Sequence, residues 1–187
     1  AYTKGVRMVK TCVGTQFCRF GTQDAITTGV ELERRLENLY TPHKTKLAVV
    51  GCPRNCAEAT VKDIGLIGQD GSWQVVVGGA AGKGVRKADL LTTVDTTEEA
   101  VEAAELFFQY RENAVYLERT YDFVERFTIE KVRRETIYAV DEVKAGLLDR
   151  LRKSKEKSYD PWLERHNPRP TQFVQIEPIG KSAGSSE

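Results

Sequence analysis

Between Thr22 and Tyr40 the apolar positions Ile26, Gly29, Val30, Leu32, Leu36 and Leu39 recur at short helical steps, and Glu31, Glu33, Arg34, Arg35 and Glu37 fall mostly opposite. A repeat near 3.6 residues is the mark of an amphipathic helix. Thr22 is expected to cap it, Asp24 suits its electropositive first turn, and Pro42 closes it. On either side the repeat shortens to two. Residues 3–11 read as a strand with Val6, Met8 and Lys10 on one face and Arg7, Val9 and Thr11 on the other. Lys46 to Gly51 reads as a buried strand running directly into Cys52. "VKDIGLIG" and "SWQVVVGG" then read as a hairpin through Gln69-Asp70-Gly71, because Gly accepts the positive φ of a tight turn. Trp73 alternates there with Val75 and Val77, which predicts a core side chain. The glycine-rich stretch 78–84 reads as a loop.

The second half is helical. Thr96-Thr97-Glu98-Glu99 has the form of a capping box opening a helix through about Leu117, with Ala100, Ala103, Ala104, Phe107, Phe108 and Tyr110 on its apolar face. Shorter helices are expected at Phe123–Phe127, Ile129–Thr136 and Val140–Leu151. After Lys157 the chain turns polar and proline-containing. The pattern predicts an α+β fold: a small mixed or antiparallel sheet with packed helices. Three stretches are expected: a half-domain over 1–137, a helical extension over 138–157 and a polar tail over 158–187.

Composition narrows the function classes. Lys and Arg total 28 against 27 Asp and Glu, a net charge of +1, which gives no surplus for general nucleic-acid binding. No apolar run approaches the ~20 residues of a membrane span, and no leader precedes a cleavage site. A cytoplasmic setting is therefore expected. The chain begins at Ala1 and reads as a piece of something longer.

All four cysteines fall in the first third of the chain, as Cys12 with Cys18 and Cys52 with Cys56. Such clustering points to one site. Disulfides suit a secreted chain, which this does not resemble. Structural zinc takes four soft ligands but favours pairs two to four residues apart. An iron–sulfur cluster takes four thiolates at varied spacings. Spacing alone leaves zinc and cluster both open.

The surroundings of the cysteines are basic. No carboxylate precedes Asp24, while Lys4, Arg7, Lys10 and Arg19 do. Lys44, Lys46, Arg54 and Lys62 flank the second pair, and Lys83, Arg86 and Lys87 follow the glycines. Basic segments beside thiols suggest something anionic held there. His43 and His166 sit beside prolines without a metal-ligand partner at suitable spacing. The basic run Arg150–Lys157 reads as a solvated helix end.

"TCVGTQFCRFG" and "GCPRNCAEA" resemble the two halves of the sirohaem and 4Fe–4S cluster signature of nitrite and sulfite reductases. The likeness continues through the hairpin, the Gly78-Gly79 pair and "VERF", over roughly residues 2–137. It is strongest to the carboxyl-terminal part of the large subunit of NAD(P)H-dependent assimilatory nitrite reductase. That resemblance implies reduction of nitrite to ammonia at sirohaem. It implies that Cys12, Cys18, Cys52 and Cys56 ligate the cluster, with Cys56 bridging to the sirohaem iron. Arg54 and Asn55 become candidates to meet sirohaem carboxylates. Many relatives carry Asn where this chain has Arg54, so the Asn is displaced by one position. Thr15 and Gln16 are expected to orient the first cysteine loop or approach the macrocycle, Phe17 to keep water from the cluster, and Gly78, Gly79, Gly82 and Gly84 to admit sirohaem carboxylates to backbone N–H groups.

The resemblance places FAD, NAD(P)H and the residues that bind nitrite outside this segment, and leaves catalytic residues unassigned. It implies as partners the remainder of the large subunit and a small Rieske-type subunit or domain. The alternatives are a sulfite reductase segment, or a noncatalytic domain with structural zinc or an unfilled cysteine site.

Overall fold

The computed structural model describes residues 5–158; the expected tail beyond Ser158, His166 and the start of the first strand lie outside them. A five-stranded sheet forms in the order β1 (Val6–Thr11), β2 (Thr45–Val50), β3 (Ile64–Gly68), β4 (Trp73–Val77) and β7 (Asp89–Val94). The first three strands run parallel and the last three pair antiparallel, so the sheet is mixed. Parallel strands need a crossover between them. The one joining β1 to β2 contains a short helix α1 (Gly14–Phe17) and the longer α2 (Ala25–Leu36). The one joining β2 to β3 is an irregular segment ending in a 3-10 turn at Ala59–Val61.

The hairpin forms where Gly71 adopts φ 72°, pairing Gly68 with Trp73. Trp73 is fully buried and its indole N–H donates to the Thr97 hydroxyl at 3.2 Å. Beyond β4, Ala80–Ala81 (β5) pairs with Val85–Arg86 (β6), so the glycine-rich stretch is a miniature hairpin rather than a structureless loop. β7 has no counterpart in the sequence reading; only Leu91 of its six residues is buried, so its pattern is weak.

In β1 the expected alternation fails. The register with β2 shifts between Val6 and Val9, and both valines pack against the core while Met8 is 79% exposed. An extra residue in a strand reverses the faces that follow it. The cap of α2 also differs. Asp24, not Thr22, accepts the Thr27 N–H at 3.1 Å. Thr22 instead donates its hydroxyl and its N–H to the Gly51 carbonyl.

α2 buries Ala25, Thr28, Gly29, Leu32 and Leu36, whereas Val30 faces outward. α3 (Thr97–Phe107) opens on the expected capping box, Thr96 with Glu99. It stops earlier than expected: Phe108 and Gln109 donate to carbonyls three residues back, tightening the turn before α4 (Tyr110–Asn113). α5 (Thr120–Phe127), α6 (Ile129–Glu135) and α7 (Asp141–Glu156) follow. Phe107, Tyr110 and Phe123 meet in one aromatic cluster beneath them, and Leu151 carries α7 onto the same core. The opposite face of the sheet is covered more thinly, by Ala57 and Ala59 of the β2–β3 crossover and by Ala88, over Ala48, Val50, Ile67 and Val76.

Candidate cofactor site

Because β1 and β2 are parallel neighbours, the segments that follow them leave the sheet at the same end. Ligand sites in such sheets form outside the carboxyl ends of strands for this reason. Cys12 comes one residue after β1 and Cys52 two after β2. The Cys12 N–H donates to Val49 O at 3.1 Å, so β1 pairing continues into the first cysteine.

Glycines bring the two loops together. Gly14, at φ 53°, and Gly51 pack backbone to backbone: a Cβ built on Gly51 meets Gly14 Cα at 2.9 Å and Gln23 O at 2.5 Å. Gly21 is equally tight, with a Cβ 2.6 Å from the Gly14 carbonyl carbon. Thr22 and Gln23 both donate their N–H to Gly51 O, at 2.8 and 3.0 Å. The Gln23 side-chain amide reaches on to Gln69 O and Ser72 O in the β3–β4 hairpin. No side chain fits between these loops, which the sequence reading did not single out at Gly14, Gly21 or Gly51.

Two backbone N–H groups donate to the Cys12 sulfur, from Gly51 at 3.1 Å and from Gly14 at 3.4 Å. Cys12 and Cys18 are half-buried, Cys52 is buried and Cys56 is exposed; all four are free thiols. Among the described residues no three His, Cys, Asp or Glu side chains converge as a ready-made metal site. The structure thus joins the loops that carry the thiols without closing the sulfurs into a cage.

The other expected site residues divide by what they touch. Gln16 donates to both carboxylate oxygens of Asp24 at 3.1 Å, and Thr15 N–H to Gln23 O at 3.2 Å, so both fasten the first loop to the start of α2. The Thr27 hydroxyl and N–H, with Gln16, hold the Asp24 carboxyl below its ordinary range. Phe17, expected as a shield, is 78% exposed. Asn55, at φ 58°, closes the second loop through its side-chain amide to the Thr60 hydroxyl at 2.7 Å. Arg54 lies 4.0 Å over the Phe20 ring, with Arg19 at 4.6 Å, so one aromatic ring from the first loop carries guanidinium groups from both. Phe20 is a second contact that sequence reasoning missed.

Gly78 and Gly79 are buried, and their N–H groups donate to Asp63 O and Lys62 O, both at 2.9 Å. Their backbone donors are engaged within the fold. Glu58, the carboxylate nearest the second pair in sequence, bonds Lys10 and Lys62 at 3.1 Å each, and those ammonium groups hold it below the usual range.

The donor chemistry suits an iron–sulfur cluster: four thiols on two interlocked loops, N–H groups already directed at sulfur, and no carboxylate within the first loop. The family described as "Nitrite and sulphite reductase 4Fe-4S domain" matches residues 2–143. The chain belongs to it. Reductases of this family carry a 4Fe–4S cluster and sirohaem. The chain is 48% identical over 165 residues to nitrite reductase, NAD(P)H, of Bacillus subtilis (strain 168), covering 88% of this chain and 20% of that protein. It is 36% identical over 133 residues to the assimilatory-type sulfite reductase of Nitratidesulfovibrio vulgaris, covering 71% of this chain and 61% of that one. Among solved structures, dissimilatory sulfite reductase I shares the fold with TM-score 0.60 at 14% identity, over 96% of this chain and 59% of the other. The chain spans about a fifth of the Bacillus subtilis relative. No helix among the described residues is long and apolar enough to cross a membrane.

Proposed function

We propose that this chain is the cofactor-bearing part of the large subunit of an assimilatory nitrite reductase, serving the reduction of nitrite to ammonia. The observation that carries the reading is the interlock of the two cysteine loops through Gly14, Gly21 and Gly51, with N–H groups from both loops on one sulfur. Cys12, Cys18, Cys52 and Cys56 would hold the cluster, and exposed Cys56 would supply the thiolate shared with sirohaem. Sirohaem and cluster, when bound, would supply the electrons for reduction of the anion. FAD and NAD(P)H, which feed them, belong to the remainder of the large subunit, with a small Rieske-type subunit or domain as a further partner. Nitrite is favoured over sulfite because the nitrite reductase match is closer in identity and covers more of this chain than the sulfite reductase match.

The chain's own residues do three things in this reading. Gly14 and Gly51 N–H groups stabilise negative charge on the Cys12 sulfur, which raises the reduction potential of a cluster bound there. Arg54, steadied on Phe20, presents its guanidinium to sirohaem carboxylates, a pairing whose strength comes from full charge on both partners. Asn55 is committed to Thr60 and shapes the loop instead. Cysteines kept as thiolates for a cluster fit a reducing compartment such as the cytoplasm.

Anaerobic reconstitution of the chain with iron and sulfide tests this. A cluster with the composition of a 4Fe-4S domain, broad visible absorption and loss of iron in Cys→Ser variants is expected. Zinc uptake with no iron–sulfur chromophore overturns the reading.

A further inference from the structure

A cavity of about 590 Å³ opens beneath the glycine-rich hairpin β5–β6, at the end of the sheet away from the cysteines. Its position follows from strand direction. β2 runs from Thr45 to Val50 and delivers Cys52 at its far end, whereas Lys44 and Lys46 stand at its start. Asp63 begins β3, and Gly79 follows the end of antiparallel β4, so these too lie at the near end. At ~3.3 Å per residue, Lys46 and Cys52 are separated by on the order of 15–20 Å. The basic segments that flank the cysteines in sequence are therefore partly gathered somewhere else.

The charges inside this cavity do not cancel. Its two carboxylates are already engaged. Asp63 accepts from the Lys46 backbone N–H, from Arg119 and from the Thr120 hydroxyl; Glu125 accepts from Arg86. Arg86 also bonds Asp89, and Lys62 bonds Glu58. That leaves the ammonium groups of Lys44, Lys46 and Lys83 without a carboxylate among the described residues. Arg119, in the wall, has a buried Nε with no hydrogen-bond partner. Gly82 and Gly84 in the rim have open space around them, so the hairpin tip can approach a ligand closely.

We infer that this cavity is a second anion site, distinct from the cysteine loops, which takes a small polyanion bearing phosphate groups. Phosphate is selected over carboxylate by which donors remain free. The guanidinium groups, whose flat fork matches a carboxylate, are already paired with Asp63, Asp89 and Glu125. The free donors are three ammonium groups and the single Arg119 Nε–H, which offers no fork; the ammonium groups are compact point charges that suit a tetrahedral oxyanion of high charge density. The volume lies within the range of small-ligand pockets. The inference stands independently of the proposed cofactor site.

Calorimetric titration of the 187-residue chain with inorganic pyrophosphate, and with citrate at matched ionic strength, tests it. One saturable pyrophosphate per chain is expected, with citrate binding more weakly. Lys46→Ala and Lys83→Ala each weaken pyrophosphate binding about tenfold, the effect of losing one charge-assisted hydrogen bond. Arg54→Ala, at the cysteine end, leaves pyrophosphate affinity unchanged. Non-saturable heat, equal or tighter citrate binding, or a loss caused by Arg54→Ala and not by the lysine variants overturns the inference. Unchanged melting temperatures of these exposed-lysine variants separate lost binding from lost fold.

Discussion

At the residue scale, the first cysteine loop is held by contacts too close for any side chain larger than hydrogen. Gly51 has Gln23 O 2.5 Å and Gly14 Cα 2.9 Å from where a Cβ would sit. Both neighbours are backbone, so neither yields by a rotamer change. Gly51→Ala is expected to cost about 1–3 kcal/mol in urea denaturation, the usual range for overpacking, and to separate the Gly51 N–H from the Cys12 sulfur. Gly71, with nothing near its Cβ, provides the comparison: Gly71→Ala strains only its own φ of 72° and leaves cluster incorporation intact. In the proposed reading the thiols separate by role. In the complete enzyme, Cys56→Ser is expected to abolish both the magnetic coupling between cluster and sirohaem and nitrite reduction. Coupling that persists in that variant would exclude Cys56 as the bridge. Cys12→Ser, which in that reading would remove a terminal ligand, is expected to leave an incomplete cluster, read as a lower iron content.

At the scale of elements, the start of α2 ties helix stability to the cysteine loop. Asp24 caps the helix through Thr27 and is also the anchor for Gln16. Its carboxyl is depressed chiefly by the Thr27 hydroxyl, so its stabilisation is present above the unfolded carboxyl pKa, near 3.9, and is lost as pH falls through the lower folded value. Asp24→Ala is expected to lower stability by about 1 kcal/mol at neutral pH. The gap from the parent chain narrows in denaturation series carried below pH 4; a gap that widens on acidification refutes the assignment.

This helix also shows what the sequence makes legible. Its period of apolar residues, the Thr96 capping box and the Gly71 turn are local signals, and each appears where its chemistry requires. The cap lies two residues beyond the expected Thr22, because Thr22 and Asp24 are both good caps and only the Gly51 carbonyl, 29 residues away, claims Thr22. Met8 faces outward against the expected alternation because a register shift leaves no mark in composition. β7 carries strand-favouring residues but buries only Leu91, so no apolar alternation marks it, and its pairing with β4 completes the sheet. At the cysteine site, the spacing and the acid-free flank were visible. The glycine interlock was not, since it joins residues made adjacent only by parallel pairing.

At the scale of the whole molecule, the two cofactors make different demands. A cluster asks for four thiols on loops that can close, and all four are on this chain, on loops already knit together. A macrocycle asks for walls on both faces and for counter-charges around its rim. Here the rim of the first loop leaves Val13, Phe17 and Phe20 exposed, and the chain spans about a fifth of its Bacillus subtilis relative. A sirohaem seated on this chain alone would keep one face in water and forfeit about 25 cal/mol for each Å² left unburied. Its carboxylates on that side would also lack partners. The chain is therefore expected to take up a cluster before sirohaem, and, in the proposed reading, to bind sirohaem weakly until the rest of the large subunit covers it. Parallel anaerobic titrations followed by visible absorption decide the order. Tight, stoichiometric sirohaem binding to the chain with no cluster present would reverse it, and would mean that this segment contains both walls of the pocket.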